Sequence, residues 1–128
     1  MAKNNPLLDT NLIIRFLTQD NKEQAKRVEK LFTSKNTIFE ITDLVIAEII
    51  FVLLSVYNLP KNDIVEKMSL LTEFEKIECN KKVLKTALDC WSNHPISFID
   101  AYLLALATVE KNSCIYSFDN KLIKIKKI

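Results

Sequence analysis

Among the 128 residues there is not one glycine. Glycine reaches positive φ at no steric cost and lets backbone approach a ligand closely. A Walker A loop, a G-x-G-x-x-G turn and a G-x-S-x-G elbow all depend on that freedom. Nucleotide-cofactor chemistry on those scaffolds is therefore excluded. Helices must also end by other means, and asparagine is the usual second choice for a left-handed C-terminal position. Asn36, Asn58, Asn93 and Asn112 each follow a helix-like stretch. Two of them are followed two residues later by Pro60 and Pro95, which reinforces the stop.

Between these stops, short apolar runs alternate with amphipathic ones. Strands are expected at Pro6–Asp9, Thr37–Thr42, Lys76–Cys79 and Ser113–Phe118, with a last edge strand at Ile123–Ile128. Helical periodicity covers Asn11–Leu17, Lys22–Thr33, Asp43–Tyr57, Lys61–Phe74, Lys81–Ser92 and Ser97–Lys111. Thr42 is placed to cap the third of these helices. The alternation predicts an α/β fold whose parallel sheet is covered on both faces. No linker, repeat or low-complexity segment interrupts residues 1–128, which predicts one domain.

Charge says little by itself: 18 Lys and Arg stand against 16 Asp and Glu. The tail lysines Lys121, Lys124, Lys126 and Lys127 read either as a protected edge or as a phosphate-attracting patch. Cys79, Cys90 and Cys114 are widely spaced and odd in number. That pattern fits reduced thiols, not a disulfide framework or zinc knuckle. No signal-peptide pattern opens the sequence, and the longest apolar run is shorter than the ~20 residues that span a bilayer. A cytoplasmic protein with no membrane association is expected.

Four carboxylates stand out. Glu48 lies inside "LVIAEIIFVLL", with Leu44, Val45, Phe51 and Val52 three and four residues away. A helix this apolar is expected to be buried, and an unpaired buried charge is costly. Glu48 therefore calls for a partner distant in sequence, either Arg15 or a cation. Asp9 ends the first apolar strand, Asp100 sits in "FIDAYLLALA", and Asp119 follows "IYSF". Each has a structural reading as well: Asp9 as a helix cap, Asp100 in a capping-box variant with Ser97, Asp119 in a turn with Asn120. In an open parallel sheet, ligands bind beyond the carboxyl ends of the strands. Four acids converging there would repel one another until some are protonated or a cation joins them. Oxygen ligands favour a hard ion, Mg²⁺ or Mn²⁺.

At these residues the sequence resembles the PIN domain, and within it the VapC-type toxins of bacterial and archaeal toxin–antitoxin pairs. The matching pieces are "LLDTNLIIRFLTQD" (7–20), "LVIAEIIFVL" (44–53), "SFIDAYLLALA" (97–107) and "YSFDNKL" (116–122). Their order and spacing cover nearly the whole chain. The resemblance implies a three-layer α/β/α sandwich with a mainly parallel sheet. It carries an acidic catalytic and metal site onto Asp9, Glu48, Asp100 and Asp119, with Thr10, Asn11 and Ser117 as supporting polar positions. It further implies Mg²⁺- or Mn²⁺-dependent cleavage of RNA, a homodimer and a partner antitoxin. Asn112 and Ser113 stand where the family often has glycine, and "SFD" replaces the commoner "TFD".

Arg15, Lys22 and the C-terminal lysines read either as contacts to RNA phosphates or as surface charge, and surface charge is the better reading for Lys22. His94 is the only histidine, so a paired-imidazole ribonuclease is disfavoured. Trp91, Tyr57 and Tyr102 sit at helix-face positions and read as packing residues. Three alternatives to the toxin remain: a PIN-like module that binds RNA or protein without cutting, a housekeeping PIN nuclease, and a receiver-type phosphotransfer domain. The last lacks an acidic neighbour at Asp9.

Overall fold

The computed structural model describes residues 4–34, 36–111 and 114–125. They fall into two compact units that divide between Cys79 and Asn80.

The N-terminal unit is built on helices α1 (Thr10–Thr18), α2 (Lys22–Ser34), α3 (Asp43–Ser55) and α4 (Lys61–Leu71) with strands β1 (Phe39–Glu40) and β2 (Ile77–Glu78). The two strands pair in parallel, Phe39 opposite Ile77 and Glu40 opposite Glu78. On the other side of β1, Leu7 forms a parallel bridge to Glu40. There Leu8 N–H donates to the Glu40 carbonyl at 2.9 Å, and Glu40 N–H donates to the Pro6 carbonyl at 2.8 Å. Three parallel segments thus lie side by side, as the apolar alternation predicted, though each is shorter than the sequence pattern.

Core packing explains why the helices sit where they do. α1 turns Ile13, Ile14 and Leu17 inward, α2 turns Ala25, Val28 and Phe32, and α3 turns Ile46, Ile49, Ile50 and Leu53. Phe16, Phe32, Phe39 and Phe74 form a ring cluster with centroids 5.3 to 6.0 Å apart, mostly edge-to-face. Such pairs each add about 0.5–1.5 kcal/mol beyond area burial, so the cluster fastens α1 and α2 to β1. Thr42 caps α3 as expected, its hydroxyl accepting from Val45 N–H at 3.3 Å.

The C-terminal unit contains α5 (Lys81–Asn93), α6 (Phe98–Val109) and the short α7 (Asn120–Lys124). α5 packs on α6. Val83, Leu84, Ala87, Leu88 and Trp91 of α5 are buried, as are Phe98, Ala101, Leu104 and Ala105 of α6. Trp91 meets Phe98 edge-to-face at 5.5 Å, which bears out its reading as a core residue. Burial raises the Cys90 thiol above its ordinary pKa, with Asp89 adding to the effect. His94, in the loop that follows α5, is half-buried, its Nδ1 3.0 Å from the Cys90 carbonyl.

Several expectations are corrected. Cys114–Phe118 form no strand among the described residues, and Tyr116 and Phe118 are exposed. Ile123 and Lys124 belong to α7, not to an edge strand; residues 126–128 lie outside the described residues. Asp119 caps α7 by accepting from Lys121 N–H at 2.9 Å, and Leu122 is buried, so a capped turn with an apolar anchor overrides the period-two pattern. Of the asparagines, Asn58 is left-handed at φ 52°, whereas α1 ends on Gln19 at φ 59°. Asn93 is the last residue of α5 and is not left-handed, and Asn112 lies outside the described residues.

Candidate active site

Asp9 leaves the Leu7 bridge and immediately precedes α1. Its backbone is extended and it occupies the N-cap position, yet its side chain makes no capping hydrogen bond. The residue is exposed, and its carboxylate has no hydrogen-bond or ion-pair partner among the described residues. The capping explanation of this residue therefore does not account for its acid.

Thr10, the next residue, is buried at 6% exposure. Its hydroxyl donates to Glu48 Oε1 at 2.6 Å, joining the start of α1 to the middle of α3 across 38 residues of sequence. Thr10 was expected only as a supporting polar residue; the structure makes it the direct partner of Glu48. Arg15 does not pair with Glu48. Its Nη1 donates to Asp20 Oδ2 at 3.1 Å and to the Tyr57 hydroxyl at 3.2 Å, and its Nε donates to Gln24 Oε1 at 3.0 Å. Tyr57 in turn donates to Asp20 Oδ2 at 2.7 Å. This cluster holds the Asp20 carboxyl below its ordinary range, chiefly through the Tyr57 hydrogen bond.

The expected burial of Glu48 is also corrected. α3 is apolar nearly all round and cannot bury every face. Leu44, Glu48, Phe51 and Ser55 recur at helical spacing on its exposed side, with Leu44 83% and Phe51 66% exposed. One oxygen of Glu48 is engaged by Thr10 while the residue as a whole is exposed, so the side chain is oriented at the surface.

In the C-terminal unit Asp100 lies in the first turn of α6. Its N–H donates to the Ser97 hydroxyl at 3.1 Å, which fills half of the expected capping box and leaves the carboxylate half-buried. Ser117 accepts from Asp119 N–H at 2.9 Å, and Asp119 spends Oδ1 on the cap of α7. Asp119 is thus the N-cap of α7, not a member of a simple turn with Asn120. Asn11 is exposed on the first turn of α1. Among the described residues no group of three or more His, Cys, Asp or Glu stands together as a metal cluster.

The donor chemistry within the N-terminal unit suits a hard divalent cation. Asp9 offers a carboxylate without a partner among the described residues, and Glu48 offers one oxygen beyond that held by Thr10.

The chain matches the family model of the PIN domain over residues 7–128 and belongs to that family. Its α/β architecture with a small parallel sheet is PIN-like. PIN domains are generally metal-dependent nucleases, which supports a hydrolase acting on nucleic acid. Comparisons with curated proteins and with solved structures give no significant match. Among the described residues no helix is long and apolar enough to cross a membrane.

Proposed function

We propose that this PIN domain is an Mg²⁺- or Mn²⁺-dependent endoribonuclease, the toxin of a type II toxin–antitoxin pair, acting in the cytoplasm as a homodimer with a cognate antitoxin. The observation that carries the proposal is the Thr10–Glu48 hydrogen bond, made one residue after Asp9, whose carboxylate caps no helix. An exposed Glu that a buried threonine holds in one orientation is poised to ligate, not to stabilise the core. Asp9, Glu48, Asp100 and Asp119 are the proposed metal ligands. A divalent cation, when bound, acidifies water and offsets charge on a phosphodiester.

Each residue of the chain has a defined part. The Thr10 hydroxyl fixes the Glu48 rotamer, so that one carboxylate oxygen keeps a constant direction. Asp9 is held by the extended backbone ahead of α1 and presents its acid without competition from a cap. Ser97 fixes the first turn of α6 and with it the Asp100 backbone. Ser117 orders the turn that carries Asp119. Hydrolysis in which water attacks phosphorus and the 3′ oxygen departs leaves a 5′-phosphate and a 3′-hydroxyl.

The lack of a three-acid cluster among the described residues favours a second reading, a PIN-like module that binds RNA or protein without cutting. A thermal-shift titration separates the two. A cation bound only by the native state raises the melting temperature. The proposal expects a rise with Mg²⁺ or Mn²⁺ that is lost in Glu48→Gln; a flat titration to millimolar metal contradicts it.

A further inference from the structure

We propose that the groove between α1 and α2 is the seat of a single-stranded RNA phosphate on its way to Asp9, with Arg15 and Arg27 as its phosphate ligands. The inference rests on the ribonuclease reading and assigns that site a substrate track.

The groove encloses about 400 Å³ and is lined by Asn11, Leu12, Arg15, Gln24, Arg27, Val28 and Leu31. Clefts of ~300–1,000 Å³ commonly hold small ligands, so this one accommodates roughly a nucleotide. Two guanidinium groups line it and no carboxylate does. Guanidinium forks match phosphate oxygens with paired hydrogen bonds. Asn11 and Arg15 lie one turn apart on α1, and Gln24, Arg27, Val28 and Leu31 recur at helical spacing on α2.

The two arginines differ in a useful way. Arg15 is held on one side by Asp20, Gln24 and Tyr57 through Nε and Nη1, and none of these bonds uses Nη2. Its side chain remains 37% exposed. It is therefore pre-oriented, with donors left for an incoming anion. No described residue pairs with Arg27, which is exposed on α2. Leu12, Val28 and Leu31 give the groove an apolar floor for a sugar or base face. The Asn11 end lies two residues from Asp9, so a strand seated here runs toward the proposed ligands.

The test is fluorescence anisotropy of a labelled single-stranded RNA with EDTA present, so that binding is read without cleavage. Arg27→Ala is the principal variant, because Arg27 has no partner among the described residues. Lys26→Ala removes the same charge from the same helix outside the groove. Arg27→Ala and Arg15→Gln should each weaken binding about tenfold and reduce the slope of log K against log salt by about 0.7. Lys26→Ala should change neither measurably. Arg27→Ala indistinguishable from Lys26→Ala overturns the groove, as does a native chain that binds no RNA. A poly-glutamate peptide bound in an Arg27-dependent way while RNA is indifferent overturns it in favour of an acidic protein segment. Arg27-dependent binding without cleavage on adding Mg²⁺ or Mn²⁺ supports the groove and removes the nuclease. Cleavage that is blind to Arg27 does the reverse.

Discussion

The Thr10 hydroxyl reaches Glu48 Oε1 at 2.6 Å and so couples the residue after Asp9 to the only charged side chain between Leu44 and Leu54. Thr10 is buried while Glu48 is exposed. The bond is therefore anchored from its donor end, and Glu48 is aimed by it.

Thr10→Val keeps the shape of the side chain and removes the donor, whereas Thr10→Ser keeps the donor. The Val variant should lose about 1 kcal/mol, the usual net value of one hydrogen bond, and should bind Mn²⁺ more weakly. The Ser variant should stay near the native protein in metal affinity. Urea denaturation and calorimetric Mn²⁺ titration check this pair. Equal metal affinity for Val and Ser would mean that Thr10 does not position Glu48.

Asp20 gives stability a pH dependence whose sign is fixed. The Tyr57 hydroxyl is the main cause of its lowered pKa; burial opposes it, and Thr18 and Arg15 assist. A carboxyl whose folded pKa lies below its ordinary value of 3.8 stabilises the fold above that value. The contribution fades as pH falls through the folded pKa. The stability gap between the native chain and Tyr57→Phe should thus be widest near neutral pH and close below pH 3.8. Asp20 is well exposed, so the gap is small and shrinks with salt. Denaturant melts at paired pH values measure it.

α3 offers a contrast within one helix. Ile49 is fully buried, and Ile49→Ala should cost about 2–5 kcal/mol by opening a cavity. Phe51 is 66% exposed. Phe51→Ser should leave the monomer within about 0.5 kcal/mol of native stability. If the exposed face with Leu44 and Leu54 forms the proposed homodimer, the same change shifts sedimentation toward monomer. A dimer that survives both Phe51→Ser and Leu44→Ser does not use this face.

The helices were legible in the sequence because periodicity and caps agree. Thr42 and Ser97 both accept the hydrogen bonds their positions announce. Strands were overestimated, since parallel pairing needs a partner segment that β propensity does not reveal; only two residues each of β1 and β2 find one. The Ile123–Ile128 pattern misled because a local cap at Asp119 and one buried leucine outweigh alternation. The burial of Glu48 was misjudged for a related reason: apolar composition all round a helix does not say which side the core can cover. The Arg15–Asp20–Tyr57 cluster went unseen because Tyr57 lies 42 residues from Arg15. The proximity of Arg15 and Asp20 in sequence was the one available hint.

Metal-dependent cleavage of a single-stranded RNA by purified native, Asp9→Asn and Asp100→Asn proteins tests the central claim most directly. Carboxylates that hold a catalytic cation predict cutting with Mg²⁺ or Mn²⁺, none with EDTA, and none in either variant although both keep the native melting temperature. Cleavage by Asp9→Asn and Asp100→Asn at the native rate, with contaminating nuclease excluded, would contradict it.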